Sequence, residues 1–303
     1  MTYTTEQKKK IQELCKQQST LTGSQNKFAA KIGVSAAQLT NLAKNNWASL
    51  SNEMWSKLAD GCGYKSEDWN VVRTANVVAI TALMNEAKQY GETYAFLAPQ
   101  GSSKTETIKM YARSNNNVAV VTCEEHWTKR EFLRRLYQAL GYTNESYSIA
   151  EYMDAIENVC RDTEQPLIVL DELDKLKDTM LLFFVSLYNR LHGKCGIFIC
   201  CTPFLKVYVE KGIRKNKRGF AEFFSRTGGK FIIGSAPGAA DIAAICNANG
   251  VTDQNEVDKI LTDSTNDLRR VVRLVQATNR KKVVKVQTEG NEHVLPKPNK
   301  KAA

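Results

Sequence analysis

Between residues 94 and 201 the sequence alternates short, largely apolar runs with segments of helical periodicity, and few folds accept that pattern. The apolar runs are Tyr94 to Leu97, Val118 to Thr122, Leu167 to Leu170 and Gly196 to Cys201. Helical segments separate them at Lys104 to Arg113, Lys129 to Leu140, Ile149 to Cys160 and Met180 to Leu191. A strand that is apolar at every position is covered on both faces, so the alternation predicts an α/β fold with a parallel sheet between helical layers. Residues 5–62 show helical periodicity without strand-like alternation, and Asp241 to Asn249, Glu256 to Thr262 and Asn266 to Asn279 are helical again. The spacing predicts an all-helical domain over 1–66, an α/β core over 67–235, a small helical lid over 236–282 and a basic flexible tail over 283–303.

With 303 residues the chain is long enough for one sizeable core and a satellite domain. No apolar run approaches the roughly 18 residues of a membrane span, and the start, with Lys8, Lys9 and Lys10, lacks the apolar segment of a signal peptide. These features predict a soluble, cytoplasmic protein with no membrane partner. The eight cysteines show no C-x-x-C spacing, and with three histidines they predict reduced, buried thiols, not a disulfide framework or a zinc site.

The net charge of +10 is unevenly placed. Arg269 to Ala303 holds ten Lys or Arg against two Glu, and Phe204 to Lys230 holds eight against two. Such clusters suit a polyanion, because each neutralised phosphate releases condensed counterions. A solubilising face is the alternative, and for the Pro296 to Lys301 tail the two readings are equal. In the helical N-terminal domain, Phe28, Ala29 and Ile32 share one helix face, Gly33 suits a turn, and Ser35 is a good N-cap for a second helix. Leu39 and Leu42 of that helix return to the core, which leaves Gln38, Thr40, Asn41 and Lys44 outward. The segment resembles the helix-turn-helix of phage repressors, and Gln38, Asn41 and Lys44 are its candidate DNA contacts. A generic helical bundle is the competing reading.

Two segments carry chemistry. Ala98-Pro99-Gln100-Gly101-Ser102-Ser103-Lys104-Thr105-Glu106 lies between a predicted strand and a predicted helix, where a phosphate loop belongs. Its Lys-Thr end matches G-x-x-x-x-G-K-[ST]; Ala98 and Ser103 stand where glycines are expected. The second segment, Pro166 to Glu172, is an apolar strand ending in two carboxylates, the Walker B layout. Asp171 is placed to hold Mg²⁺ with Thr105, Glu172 to orient or deprotonate the attacking water, and Lys104 to neutralise the β and γ phosphates of ATP. Loop amides and the helix N-terminus supply further donors.

Thr202 follows the strand Gly196 to Cys201, where AAA+ enzymes keep a γ-phosphate sensor, more usually Asn. Arg226 is a candidate arginine finger toward a neighbouring subunit, and Arg269 a candidate sensor in the lid. A surface charge or a DNA phosphate contact is the alternative for each.

The order of helix-turn-helix, Lys104-Thr105-Glu106, Leu170-Asp171-Glu172, Phe224-Ser225-Arg226 and Leu268-Arg269 resembles the AAA+ family of phage Mu transposition protein B over nearly the whole chain. Asn115-Asn116-Asn117 before a strand and Phe220-Ala221 add local agreement. The resemblance implies ATP binding, Mg²⁺-dependent hydrolysis, ATP-dependent self-assembly as a helical filament on double-stranded DNA without sequence preference, and delivery of that DNA to a DDE transposase. Lys206, Lys211, Arg214, Lys215, Lys217 and Arg218 are then the candidate phosphate contacts. The departures at Ala98, Ser103 and Thr202 bear on the rate of hydrolysis more than on nucleotide binding. A helicase loader or insertion-sequence helper shares the same core; a helix-turn-helix regulator with a decayed phosphate loop is the rival of another class.

Overall fold

The computed structural model describes residues 3–64, 69–176 and 178–291. Contacts divide the chain into two compact units, residues 1–68 with 75–235, and residues 69–74 with 236–303.

The first unit opens with helices α1 (Thr5–Leu21), α2 (Gln25–Ile32), α3 (Ala36–Ala43) and α4 (Asn52–Cys62). Each begins at a hydroxyl N-cap, Thr4, Ser24, Ser35 or Ser51, whose oxygen accepts an amide N–H that the first turn leaves unpaired. Gly33 ends α2 at φ 68°, a left-handed turn that a side chain disfavours, and so sets α3 across α2. The bundle closes on Ile11, Phe28, Leu39, Leu42, Trp55 and Leu58, all buried.

The α/β part follows with α5 (Ala75–Tyr90), β1 (Thr93–Leu97), α6 (Lys104–Ser114), β2 (Val118–Thr122), α7 (Lys129–Ala139), α8 (Ile149–Asp162) and β3 (Leu167–Asp171). It continues with α9 (Asp178–Leu191), β4 (Gly196–Cys201), α10 (Phe204–Arg214), α11 (Phe220–Arg226) and β5 (Ile232–Ile233). The strands form a parallel sheet in the order β2-β3-β4-β1-β5. Alternate side chains separate its two faces. Phe96, Val118, Leu167, Val169 and Phe198 pack with Ile80 and Met84 of α5 and Ile108 of α6. Leu97, Val121, Ile168, Leu170 and Ile199 pack with Phe132 and Leu136 of α7, Ile156 of α8 and Leu187 of α9. Burial of this apolar surface on both faces is the main force holding the layers together.

The helical bundle sits on edge strand β2 and its flanking helices through polar ties. Lys31 Nζ donates to the Val118 carbonyl at 2.7 Å, Gln138 Nε2 to Ala30 O at 3.1 Å, and Gln18 Nε2 to Arg113 O at 3.0 Å. A cleft of about 920 Å³ remains between bundle and core, lined in part by Lys31, Lys109, Arg113 and Arg135.

The second unit contains α12 (Ala239–Ala248), α13 (Gln254–Ser264) and α14 (Leu268–Asn291). Ile242, Ile245, Val257, Ile260, Val271 and Val275 form its core, against which Trp69 and Val72 pack. Asn70 and Asn249 exchange hydrogen bonds that fasten residues 69–74 to the end of α12. Residues 283–291, expected as part of a flexible tail, continue α14, and positions 292–303, with the Pro296 to Lys301 segment, lie outside the described residues. No described helix is long and apolar enough to cross a membrane. All eight cysteines are buried and free.

Candidate functional site

The sheet order brings the two sequence motifs together. Strand β4 lies between β1 and β3, with Leu97 beside Cys201 and Asp171 beside Cys200. The loop leaving β1, the acids ending β3 and Thr202 after β4 therefore share the carboxyl edge of the sheet, where α/β folds bind ligands.

The loop 98–103 folds tightly over the start of α6. Gly101 sits at φ 70° and Ser103 at φ 65°. Ala98 has no such conformation, so a methyl group is accommodated where the motif has its first glycine; it is fully buried. Ser103 occupies the second glycine position in a left-handed backbone that disfavours a side chain by about 1 kcal/mol. Its hydroxyl donates to Ser102 O at 2.6 Å, and the buried Ser102 hydroxyl donates to Pro99 O at 2.7 Å. Lys104 extends across the loop and donates to the carbonyls of Ala98 and Pro99, both at 2.7 Å, which holds the ammonium at the loop's mouth. Gln100 and Glu106 are exposed, Glu106 within 3.7 Å of Lys109.

Thr105, in the first turn of α6, donates its hydroxyl to Asp171 Oδ2 at 2.8 Å. Asp171 is 1% exposed, and its Oδ1 is buried without a hydrogen-bond partner. Burial pushes this carboxyl's pKa up, opposed by the Thr105 hydrogen bond. A buried carboxylate oxygen without a partner beside a hydroxyl fits Mg²⁺, which takes one or two such protein ligands and completes its shell with phosphates and water. Among the described residues no group of three or more His, Cys, Asp or Glu forms a metal cage.

Glu172 leaves the strand at φ 59° and starts the turn Leu173–Lys175. Its carboxylate is paired with Lys175 Nζ at 2.6 Å, with about a third of the Glu172 side chain exposed. The Thr202 hydroxyl donates to Asp174 Oδ2 at 2.5 Å, tying the end of β4 to that turn.

The remaining candidates are dispersed. Arg226 ends α11, exposed, with its guanidinium 5.5 Å from the centre of the Tyr188 ring on α9. Arg269 is exposed in the first turn of α14, in the second unit. Lys206, Lys211, Arg214, Lys215, Lys217 and Arg218 are exposed on α10 and the turn after it. Lys44, which caps the end of α3, is exposed and Asn41 of α3 is half-buried, while Gln38 accepts the Ser35 N–H at 2.9 Å in a capping box, which occupies its carbonyl oxygen and not its amide NH₂. Thr40, expected to face outward, is half-buried, donating to Ala36 O and accepting from Gln25.

Three supporting residues carry no sequence signal. Asn76 of α5 donates to Ser235 O at 2.7 Å and lies 3.5 Å from Ser102 O, which braces the phosphate loop against the segment after β5. Asp174 and Lys175 hold Thr202 and Glu172.

Residues 88–207, less than half of the chain, match the family model of an AAA domain. No curated protein matches. Cdc6p from Pyrobaculum aerophilum superposes with a TM-score of 0.44 at 14% identity, over 60% of this chain and 51% of that one. In the Drosophila ORC structure bound to AT-rich DNA and Cdc6, one chain superposes with a TM-score of 0.32 at 13% identity, over 72% of this chain and 84% of that one. The chain thus spans about half the length of the Cdc6p chain. The sheet order, the loop at Lys104 and the acids at the end of β3 give the chain the AAA+ P-loop fold, with a five-stranded parallel sheet.

Proposed function

We propose that the chain is an ATP-dependent, DNA-binding AAA+ ATPase that assembles as a filament on duplex target DNA, without sequence preference, and delivers that DNA to a DDE transposase. The observation that carries the nucleotide chemistry is the Thr105–Asp171 pair with its unpartnered, buried Oδ1. In this reading Lys104 gives up the loop carbonyls for the β and γ phosphates, and the loop amides with the first turn of α6 donate to phosphate oxygens. Thr105 and Asp171 hold Mg²⁺, which when bound neutralises phosphate charge. Glu172 accepts the proton of the attacking water once its carboxylate is free of Lys175. Thr202 senses the γ phosphate, Arg226 acts as a finger on a neighbouring subunit, and Arg269 as a further sensor.

The DNA part of the reading is supported by the exposed cluster Lys206, Lys211, Arg214, Lys215, Lys217 and Arg218, with Gln38, Asn41 and Lys44 as weaker contacts. The transposase part rests on the family resemblance of the motifs. Affinity for mixed-sequence duplex, measured with a slowly hydrolysed ATP analogue, with ADP and without nucleotide, tests the reading. Tight binding with the triphosphate form alone is expected, and binding indifferent to nucleotide favours a regulator with a decayed phosphate loop.

A further inference from the structure

Helix α10 carries a stripe that the nucleotide site does not use. Its inner side, Leu205, Val209 and Gly212, is buried against the core together with the partly buried Tyr208 and Ile213. Phe204, Val207, Lys211 and Arg214 follow one another at helical spacing along the outer side, and all are exposed, Phe204 at 60% and Val207 at 57%. The stripe is apolar at the start of the helix and basic at its end. The Phe204 ring lies over Tyr208 with centroids 5.9 Å apart and planes 16° apart, so its outward face is held in place. Leu205 N–H donates to Thr202 O at 3.1 Å, which hangs the helix directly from the end of β4, two residues beyond the candidate γ-phosphate sensor.

Exposed apolar side chains that adjoin one another, as Phe204 and Val207 do one helical turn apart, form a patch that a partner can cover. Here they adjoin a group of exposed cations against which α10 sets only Glu210. That balance calls for a polyanion; pairing the stripe with itself in a second copy would leave Lys211 and Arg214 of both chains without an acidic partner from the stripe. We propose that the outer stripe of α10 is a duplex-DNA contact of two kinds, in which Lys211 and Arg214 hold phosphates and Phe204 and Val207 make an uncharged contact with sugar and base edges. Apolar wedges beside phosphate-binding cations are a recurrent way to grip DNA without base-specific hydrogen bonds. This rests on the DNA-binding reading given above and adds to it a salt-independent contribution to affinity and a route from Thr202 to the DNA.

The two contributions separate in a salt titration of the full-length protein on a fluorescent mixed-sequence duplex with a slowly hydrolysed ATP analogue. The Phe204→Ala/Val207→Ala protein is expected to bind about tenfold more weakly at every salt concentration with the slope of log K against log salt unchanged. The Lys211→Ala/Arg214→Ala protein is expected to lose about two units of slope. Phe204→Leu/Val207→Ile, which keeps the apolar surface, is expected to bind within a factor of about three of the unaltered protein and guards against a folding artefact. Unchanged affinity of the apolar double variant overturns the proposal while leaving the DNA-binding reading intact. Loss of self-association without DNA, at unchanged DNA affinity, identifies a contact between copies instead. Absence of nucleotide-dependent binding by the unaltered protein overturns the underlying reading and the proposal with it.

Discussion

Thr105 donates its hydroxyl to Asp171 across 2.8 Å, joining the first turn of α6 to the end of β3 over 66 residues of sequence. The other Asp171 oxygen is buried without a partner, and burial raises the carboxyl's pKa. A raised carboxyl pKa favours folding at low pH, and that contribution is lost as pH rises through the folded value. Metal binding needs the ionised form. We therefore expect Asp171→Asn to stabilise the nucleotide-free protein by about 1 kcal/mol at neutral pH, because a buried charge that the Thr105 hydrogen bond compensates only in part is removed. The same variant loses the Mg²⁺-dependent part of stabilisation by ATP. In the unaltered protein, Mg²⁺-dependent affinity falls as pH drops through the raised carboxyl range. Thermal unfolding against pH, with and without Mg²⁺ and nucleotide, measures all three effects.

Lys104 and Glu172 separate binding from turnover. Lys104→Ala is expected to abolish ATP-dependent DNA binding. Glu172→Gln is expected to keep that binding, lower turnover by about 10²-fold or more, and hold the protein on DNA after assembly. Release of DNA by the Glu172→Gln protein at the unaltered rate would falsify the hydrolysis-driven disassembly.

Ser103 stands at φ 65° where the motif has glycine. Ser103→Gly is expected to keep nucleotide affinity and to change stability by less than about 1 kcal/mol, since relief of the left-handed strain is offset by greater freedom of the unfolded chain. Ser103→Val is expected to destabilise by about 2 kcal/mol and to weaken nucleotide binding, because a β-branched side chain tolerates that backbone least. Equal behaviour of the two variants in calorimetry would show that the backbone there is not constrained.

Much of this site was legible in the sequence. Four largely apolar runs each gave a strand, because strands covered on both faces, as β3 and β4 are along their whole length, keep few polar positions to blur the pattern. The loop and the acidic pair were legible from spacing, yet only backbone angles separate Ala98, which is free of strain, from Ser103, which is not. Helix α10 was hidden because its basic residues dominate the composition of Phe204 to Lys230; the apolar residues at 205, 208, 209 and 213 mark its buried side. Strand β5, two residues long, has no period to detect. Asn76 and Asp174 gave no signal because their roles arise from contacts 159 and 28 residues away.

Lys31 ties the helical bundle to the edge of the sheet, and burial lowers its pKa to about 8. A depressed lysine pKa means that the stabilising contribution is complete above the unfolded value and is lost as pH falls through about 8. Docking of the bundle is expected to tighten as pH rises from about 8 toward 10.5, and Lys31→Met is expected to remove that dependence. Hydrogen exchange of the β2 edge amides across this interval checks it, and an unchanged profile in the variant would contradict it.

The most direct measurement is electron microscopy of the full-length protein on long duplex DNA with ATP or a slowly hydrolysed analogue, with ADP, and without nucleotide. Continuous filaments with the triphosphates alone are the predicted result, and isolated protomers on DNA under all three conditions would contradict the account of a DNA-assembling ATPase.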